Sequence, residues 1–72
     1  MIITIETEKM KKDFKVNELQ NVKDTLDILS QSGYLELKEE IVVRSIRNDA
    51  IVDIDKNYTE NEIYGGDIIV IS

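Results

Sequence analysis

Apolar and polar residues alternate in two short segments at the start of the chain. Over residues 3–6 and again over residues 13–17, apolar side chains recur at every second position, which is the period of a β-strand. Residues 8–11 between them lack this alternation and predict a turn. Two short neighbouring strands joined by a turn predict a β-hairpin.

The pattern then changes to the period of a helix. Val22, Leu26 and Leu29 recur at i, i+4 and i+7 and so share one helix face. Asn21 is a favourable N-cap residue, and Gly33 suits the position just beyond a helix end. The spacing predicts a helix from about Asn21 to Ser32.

The second half of the chain returns to β-branched segments. Residues 41–47 predict a strand, and residues 50–54 predict its partner. Asn48-Asp49 between them can supply two positive-φ positions for a tight turn. This hairpin would pair Ile46 with Ile51 and Val43 with Ile54.

The last part of the chain combines a short turn with a final strand. Residues 58–63 predict one 3₁₀ or helical turn that Thr59 opens, and Gly65-Gly66 predict a second turn. Residues 67–71 predict the closing strand. The order strand-strand-helix-strand-strand-turn-strand predicts an α+β fold, with one mixed sheet of about five strands packed on one helix.

Composition limits the chemistry available to this fold. The 72 residues predict a single domain spanning 1–72, with a net charge of −6 and neither cysteine nor histidine. Zinc sites, disulfides and catalysis by Cys/His or Ser/His/Asp groups are therefore excluded. An acidic domain repels phosphate, so we expect no nucleic-acid partner.

The acidic residues suggest metal or acid–base chemistry only weakly. Asp53, Asp55 and Asn57 match the start of a calcium loop, but Tyr58 and Tyr64 stand where glycine and glutamate are needed. Two acid pairs, Glu39-Glu40 and Glu60/Glu62, have no basic or metal partner in sequence. We therefore expect no enzymatic activity, no metal and no cofactor.

The basic residues concentrate in the first hairpin, at Lys9, Lys11, Lys12 and Lys15. This cluster is either a solvated hairpin or a docking site for an acidic surface. No signal peptide and no membrane-spanning run is present in the sequence. We expect a cytoplasmic protein that does not insert into a membrane.

The order and lengths of these elements resemble ubiquitin across essentially the whole chain. The residues that carry the resemblance are Ile3 and Ile5, Val22 and Leu26, and the closing series Tyr58, Ile63, Asp67, Ile69 and Ile71. Within ubiquitin-like proteins, the short acidic chain is most similar to the bacterial YukD/EsaB family. The resemblance implies a ubiquitin-like β-grasp fold and a non-enzymatic accessory role in type VII (WXG/ESX-type) secretion. The implied partner is a membrane component or ATPase of that system.

The chain departs from ubiquitin in its tail. The only Gly-Gly pair, Gly65-Gly66, precedes the last strand, and the sequence closes at Ile71-Ser72. Ubiquitin and the sulfur carriers ThiS and MoaD act through a terminal Gly-Gly, so we expect neither conjugation nor sulfur transfer. YukD-like proteins also lack such a tail.

In the ubiquitin strand order the last strand lies between the first and the third, and one apolar sheet face has no helix to cover it. We call this the outer face and define it as Val42, Arg44, Ile46, Ile51, Ile68 and Val70, with Ile2 and Thr4 beside them. Val43, Val52, Ile54, Ile69 and Ile71 would point at the helix instead. An uncovered apolar face is typical of a protein-binding surface. Its occupant is a different protein or a second copy in a homodimer; the alternative is that β-branched strands simply place Ile and Val on both faces.

Overall fold

The computed structural model describes residues 1–36 and 38–72. These residues form one five-stranded sheet with one helix. Its elements are β1 (Ile2–Glu6), β2 (Lys11–Lys15), α1 (Val22–Gln31), β3 (Val43–Ser45), β4 (Ala50–Ile51) and β5 (Ile68–Ile71). The strand order is β2-β1-β5-β3-β4, with β1 and β5 parallel and the other pairs antiparallel. The predicted α+β order and the central place of the last strand are confirmed.

The hydrophobic core lies between α1 and one face of the sheet. Alternate residues of β1 and β5 are buried, as the period-two pattern predicts. The buried apolar residues are Ile3, Ile5, Val16, Val22, Leu26, Leu29, Val43, Val52, Tyr58, Ile63, Ile69 and Ile71. Ile54, which was expected among them, is half-buried at the edge of this cluster.

The first hairpin differs from the prediction by two residues. Glu6 pairs with Lys11 and Ile2 pairs with Lys15, so β2 begins earlier than the alternation of residues 13–17 suggested. The pairing nevertheless continues past β2, because the Val16 N–H donates to the Met1 carbonyl at 2.9 Å. The alternation therefore identified the strand but not its start.

Helix α1 ends as predicted but begins with different hydrogen bonds. Gly33 has a φ of 80°, and the Tyr34 N–H donates to the Leu29 carbonyl at 2.9 Å, which is a Schellman ending. Asn21 occupies the N-cap without a side-chain hydrogen bond. Carbonyls of residues 54 and 56 accept the first two helix N–H groups instead, at 3.0 and 3.1 Å. A long-range loop thus caps the helix.

The second hairpin has a wider turn than predicted. Arg44 pairs with Ile51 and Ser45 with Ala50, so the register is shifted by two residues. Only Asp49 has a positive φ, at 48°, and Asn48 does not. The paired segments are also shorter than residues 41–47 and 50–54 suggested. A shift of two residues preserves the face on which each side chain lies, because the strand period is two.

The turn before β5 is opened by Asn57 and not by Thr59. The Glu60 N–H donates to Asn57 Oδ1 at 2.7 Å, and the Asn57 N–H donates to Glu60 Oε1 at 3.1 Å. This reciprocal pair is the geometry of a capping box. The predicted single helical turn does form, because the Asn61 N–H donates to the Asn57 carbonyl at 3.2 Å and the Glu62 N–H donates to the Thr59 carbonyl at 3.0 Å. Gly66, with a φ of 89°, supplies the predicted second turn.

Tyr58 joins this turn to the helix through a buried hydrogen bond. Its hydroxyl donates to Thr25 Oγ1 at 2.7 Å. Burial raises the pKa of the Tyr58 phenol above its ordinary value, and the Thr25 hydrogen bond partly opposes that shift. The folded state thus favours the neutral phenol, so this contribution to stability is complete below about pH 10 and is lost as the pH rises through the higher folded-state pKa.

We expect Tyr58→Phe to lower stability by about 1 kcal/mol at neutral pH, because Thr25 loses its donor. The wild type should then lose more stability than the variant between neutral pH and about pH 11. Urea unfolding at both pH values measures this difference. Tyr64→Phe is the matched control because Tyr64 is exposed. Equal alkaline losses in wild type and Tyr58→Phe would contradict the assignment.

Candidate protein-interaction surface

The outer face is built by the register of four neighbouring strands. At one level across the sheet the paired residues are Glu6, Val70, Arg44 and Ile51. Val70 lies on the central strand β5, and Arg44 lies beside it on β3. All four therefore point to the side of the sheet opposite α1, since the alternate residues of β1, β3 and β5 are buried against the helix.

A second level of the sheet extends the apolar area. Thr4 pairs with Ile68, and the Ile46 N–H donates to the Ile68 carbonyl at 2.9 Å. Ile46 and Ile51 are 51% and 62% exposed, whereas Ile68 and Val70 are half-buried by their neighbours. The exposed pair therefore offers the most surface for a contact.

Two further residues complete the outer face. Val42 is exposed beside β5 and exchanges two backbone hydrogen bonds with Ser72, at 2.8 and 2.9 Å. Ile2 is exposed at the start of β1. The structure thus brings together every residue that the sequence assigned to this face. Whether a protein binds there stays a prediction.

Arg44 is the only cation in the middle of this apolar area. Its guanidinium donates to the carboxylate of Asp49 on the turn of the β3–β4 hairpin. Both side chains are exposed, so the ion pair contributes little to stability. A bound carboxylate can therefore compete for Arg44 at small cost to the fold.

The lysines of the first hairpin do not share one surface. Lys11 and Lys15 pair with Glu6 and Ile2, so they lie at the β2 edge of the outer face. Lys12 lies on the helix side, with its Nζ 5.0 Å from the centre of the Tyr34 ring. Residues 9–15 therefore give two small groups in place of one basic patch.

Charge is distributed unevenly between the outer face and the rest of the molecule. The outward positions of the paired strands carry three basic residues, Lys11, Lys15 and Arg44, and two acidic ones, Glu6 and Asp13. Asp49 in the adjoining turn adds a third acid through its ion pair with Arg44. The whole chain has nine basic and fifteen acidic residues, so the net charge of −6 lies outside the outer face. The face is neutral on a strongly acidic protein.

Asp67 was named from the sequence only as part of the resemblance to ubiquitin, and the structure gives it a structural role that was not predicted. Its side chain is only 1% exposed and accepts hydrogen bonds from Ser45 Oγ at 2.5 Å and from two backbone N–H groups. The two backbone donors belong to Arg47 and Ile68, at 3.0 and 2.7 Å. Asp67 thereby ties the β3–β4 hairpin to β5. The sequence pattern that could have identified this role is a single acidic residue directly before the uninterrupted apolar run of residues 68–71.

Several polar residues that the sequence suggested as metal or acid–base groups instead accept hydrogen bonds from backbone N–H groups. Asp53 Oδ1 accepts the Asp55 N–H at 3.0 Å, and Asn57 and Glu60 cap each other. Glu39, Glu40 and Glu62 are exposed. In residues 1–36 and 38–72, no group of three or more acidic side chains is arranged to hold a metal ion.

A shallow groove lies away from the outer face. It is lined mainly by Thr7 in the first turn, by Tyr34 and Leu35 after the helix, and by Ile41 and Ile71. The side chains of its ionisable neighbours, Glu8, Lys9, Glu36 and Lys38, are exposed to water.

None of the helices within the described part of the chain is long and apolar enough to cross a membrane.

Comparison with known proteins identifies the fold. No family model matches the chain, and no curated protein matches it. A similar solved structure is the N-terminal ubiquitin-like domain in the 4931431F19Rik protein, with 14% identity and a TM-score of 0.76. The match covers 100% of this chain and 72% of that one. The chain therefore has a ubiquitin-like β-grasp fold.

Proposed function

We propose that this chain is a non-enzymatic ubiquitin-like interaction module that binds a partner protein through its outer face. The observation that carries the proposal is the exposed apolar area formed by Ile46, Ile51 and their strand neighbours, with Arg44 at its centre. Single exposed apolar residues are common, whereas a contiguous group on one face is typical of a binding surface. The half-buried Ile68 and Val70 make that group continuous.

The face also has the anatomy of a protein interface. Interfaces combine an apolar centre with a polar rim, and arginine is enriched in them. Here the rim is formed by Glu6 paired with Lys11 at 3.7 Å and by Thr4 bonded to Asp13 at 2.6 Å.

The finer proposal places the module in a type VII secretion system, as an accessory subunit in the cytoplasm. Its support is the resemblance of the element order and short acidic sequence to YukD/EsaB proteins. In that role it would contact a secretion ATPase or membrane component without covalent attachment.

We expect Ile46→Arg to abolish capture of a partner from native lysate, because a charge would be buried at the contact. Ile28→Arg is the matched control, since Ile28 is 55% exposed on the opposite side of the molecule, on α1. Mass spectrometry of proteins bound to the wild type and to each variant measures the difference. Circular dichroism verifies that both variants fold.

The interaction module and the secretion role can be refuted separately. Capture that survives Ile46→Arg would show that the outer face is not the binding surface. Capture that is lost only in Ile46→Arg, but contains no secretion component, would refute the secretion role and retain the interaction module.

A further inference from the structure

Strand β2 forms an open edge of the sheet. Among residues 1–36 and 38–72 its only neighbouring strand is β1, and four of its five residues are exposed. The opposite edge is partly closed, because the Asn61 side chain bonds to both backbone groups of Asp53, at 2.8 Å each. An extended segment of another protein can therefore be added to the sheet at β2 and is hindered at β4.

The ladder between β1 and β2 shows which backbone groups are directed at this edge. Met1 and Val16 exchange two hydrogen bonds, at 2.9 and 3.0 Å. Hydrogen-bonded and non-hydrogen-bonded pairs alternate along an antiparallel ladder, so the backbone groups at positions 12 and 14 bond to β1. The N–H and carbonyl groups of Lys11, Asp13 and Lys15 therefore point away from β1, toward the open edge.

The side chains of β2 carry positive charge on both faces of the sheet. Lys11 and Lys15 point to the outer face, and Lys12 lies on the helix side. The strand has three lysines and one aspartate, whereas the whole chain has a net charge of −6. A flat partner surface cannot meet lysines on two faces of a sheet. An added strand can, because its own side chains alternate between the same two faces.

We propose that the β2 edge binds an acidic extended segment of a partner protein, which joins the sheet as a further strand beside β2. Hydrogen bonds to the open backbone groups supply affinity, and the alternating side chains supply specificity. This contact lies at the sheet edge, apart from the apolar centre of the outer face. It is therefore a second binding site, and it stands or falls independently of the first.

The register of β2 determines which side chains the segment carries. Acidic residues belong opposite Lys11 and Lys15, because opposite charges on directly paired residues of neighbouring strands attract. On the helix side, the half-buried Phe14 ring meets the Tyr34 ring edge-on, with the ring centroids 6.1 Å apart. A β-branched residue opposite Phe14 would pack against this aromatic pair. The segment thus alternates acidic and apolar residues.

Charge also opposes a second copy of this chain as the occupant. Each β2 edge has an excess of positive charge, and lysines on an edge strand hinder pairing between identical edges. Asp13, the single acid of β2, lies between Lys11 and Lys15 and accepts a hydrogen bond from the Thr4 hydroxyl at 2.6 Å. A neutral residue of the segment suits the position opposite Asp13.

A synthetic peptide, Glu-Val-Thr-Val-Glu with blocked ends, is the probe for this site. Its sequence reads the same in both directions, so its acids meet Lys11 and Lys15 in either strand orientation. We expect millimolar peptide to slow hydrogen exchange at the amides of Lys11, Asp13 and Lys15, measured by NMR. The amides at positions 12 and 14 already bond to β1 and should change less. Lys-Val-Thr-Val-Lys is the control peptide, and we expect it to bind about tenfold more weakly.

Asp13→Pro tests the backbone hydrogen bonds of the added strand. Proline removes one N–H at the open edge but no bond of the β1–β2 ladder, so we expect the variant to fold. Asp13→Ala is the matched control, because it removes the same carboxylate and keeps the N–H. Asp13→Ala should bind the peptide at least as tightly as the wild type, whereas Asp13→Pro should show no binding at millimolar concentration. Circular dichroism verifies folding, and the exchange pattern of the wild type does not depend on either variant.

Three results would overturn the proposal. The first is a wild type whose amides at positions 11, 13 and 15 gain no protection from millimolar peptide. The second is equal binding to Asp13→Pro and Asp13→Ala, which would mean contact through side-chain charge alone. The third is protection without peptide that rises with protein concentration, which would assign the edge to a second copy.

The peptide experiment is also separable from the capture experiment. Two strands lie between β2 and β3, the strand that Ile46 follows, so Ile46→Arg should bind the peptide as the wild type does. Peptide binding that persists in Ile46→Arg, together with capture that also persists, would support the β2 edge and refute the outer face. Loss of capture in Ile46→Arg without any peptide binding to the wild type would support the outer face and refute the β2 edge.

Discussion

Asp67→Ala is expected to lower the free energy of unfolding by about 3 kcal/mol, because it leaves buried donors without an acceptor. The three donors are Ser45 Oγ and the N–H groups of Arg47 and Ile68, at 2.5 to 3.0 Å. Small domains have roughly 0.05–0.15 kcal/mol of stability per residue, so this loss is a large share of the total. Urea unfolding of the two proteins measures it.

The control for this prediction is Asp53→Ala. Asp53 is exposed, and its carboxylate accepts only the Asp55 N–H, at 3.0 Å. Its removal should cost about 1 kcal/mol or less, since water can replace the bond. Asp67→Asn keeps the size of the side chain and replaces one acceptor oxygen with a donor, so it should lie between wild type and Asp67→Ala. Similar losses in Asp53→Ala and Asp67→Ala would contradict the assigned role.

The position of Asp67 also connects stability to the outer face. The residues that it fixes lie directly beside Ile46, whose N–H donates to the Ile68 carbonyl at 2.9 Å. Without Asp67, the β3–β4 hairpin and β5 lose their buried side-chain link. The apolar surface that these two elements share would then lose its fixed shape.

The sequence alone was sufficient to predict the elements that depend on short-range patterns. The apolar spacing of Val22, Leu26 and Leu29 and the left-handed Gly33 located α1 to within a residue at each end. The alternation of residues 3–6 located β1, and the resemblance to ubiquitin supplied the central position of β5. Periodicity and the helix ending involve residues that are only a few positions apart, so they can be recognised in a single sequence.

Features set by distant contacts were missed. The hairpin register follows from the bond of Val52 N–H to the Val43 carbonyl at 2.7 Å and from the ties of Asp67 to Arg47. The helix start is capped by carbonyls from residues 54 and 56, which no local pattern reveals. The sequence analysis rejected a calcium loop at Asn57 but did not predict that Asn57 caps a turn that Tyr58 anchors in the core.

The outer face was predictable because the face on which a strand residue lies depends only on whether its position along the strand is odd or even. A register error of two residues moved the partner of Ile51 from Ile46 to Arg44 without moving either residue to the other face. The residues that surround this face at the sheet edges could not be identified from the sequence. Their placement depends on β2 and β4 being the edges of one sheet, which is a property of the topology.

Ile69→Ala and Ile68→Ala test the assignment of the two sheet faces, because these adjacent residues of β5 lie on opposite faces. Ile69 is 2% exposed against α1, so its truncation leaves a cavity and should cost about 3–4 kcal/mol. Ile68 is half-buried on the outer face, and its truncation should cost about 1 kcal/mol or less. Urea unfolding at low micromolar concentration, where self-association is weakest, measures both losses.

The two variants also separate stability from binding. Because Ile69→Ala removes much of the total stability, Ile69→Val provides a milder change that should cost about 1 kcal/mol and leave the protein folded. Ile69→Val should leave partner capture unchanged, since Ile69 faces the core. Ile68→Ala should weaken partner capture, because it removes apolar area from the outer face. A larger stability loss in Ile68→Ala than in Ile69→Ala would mean that the outer face is covered within the monomer, and the proposal of a binding surface there would be refuted.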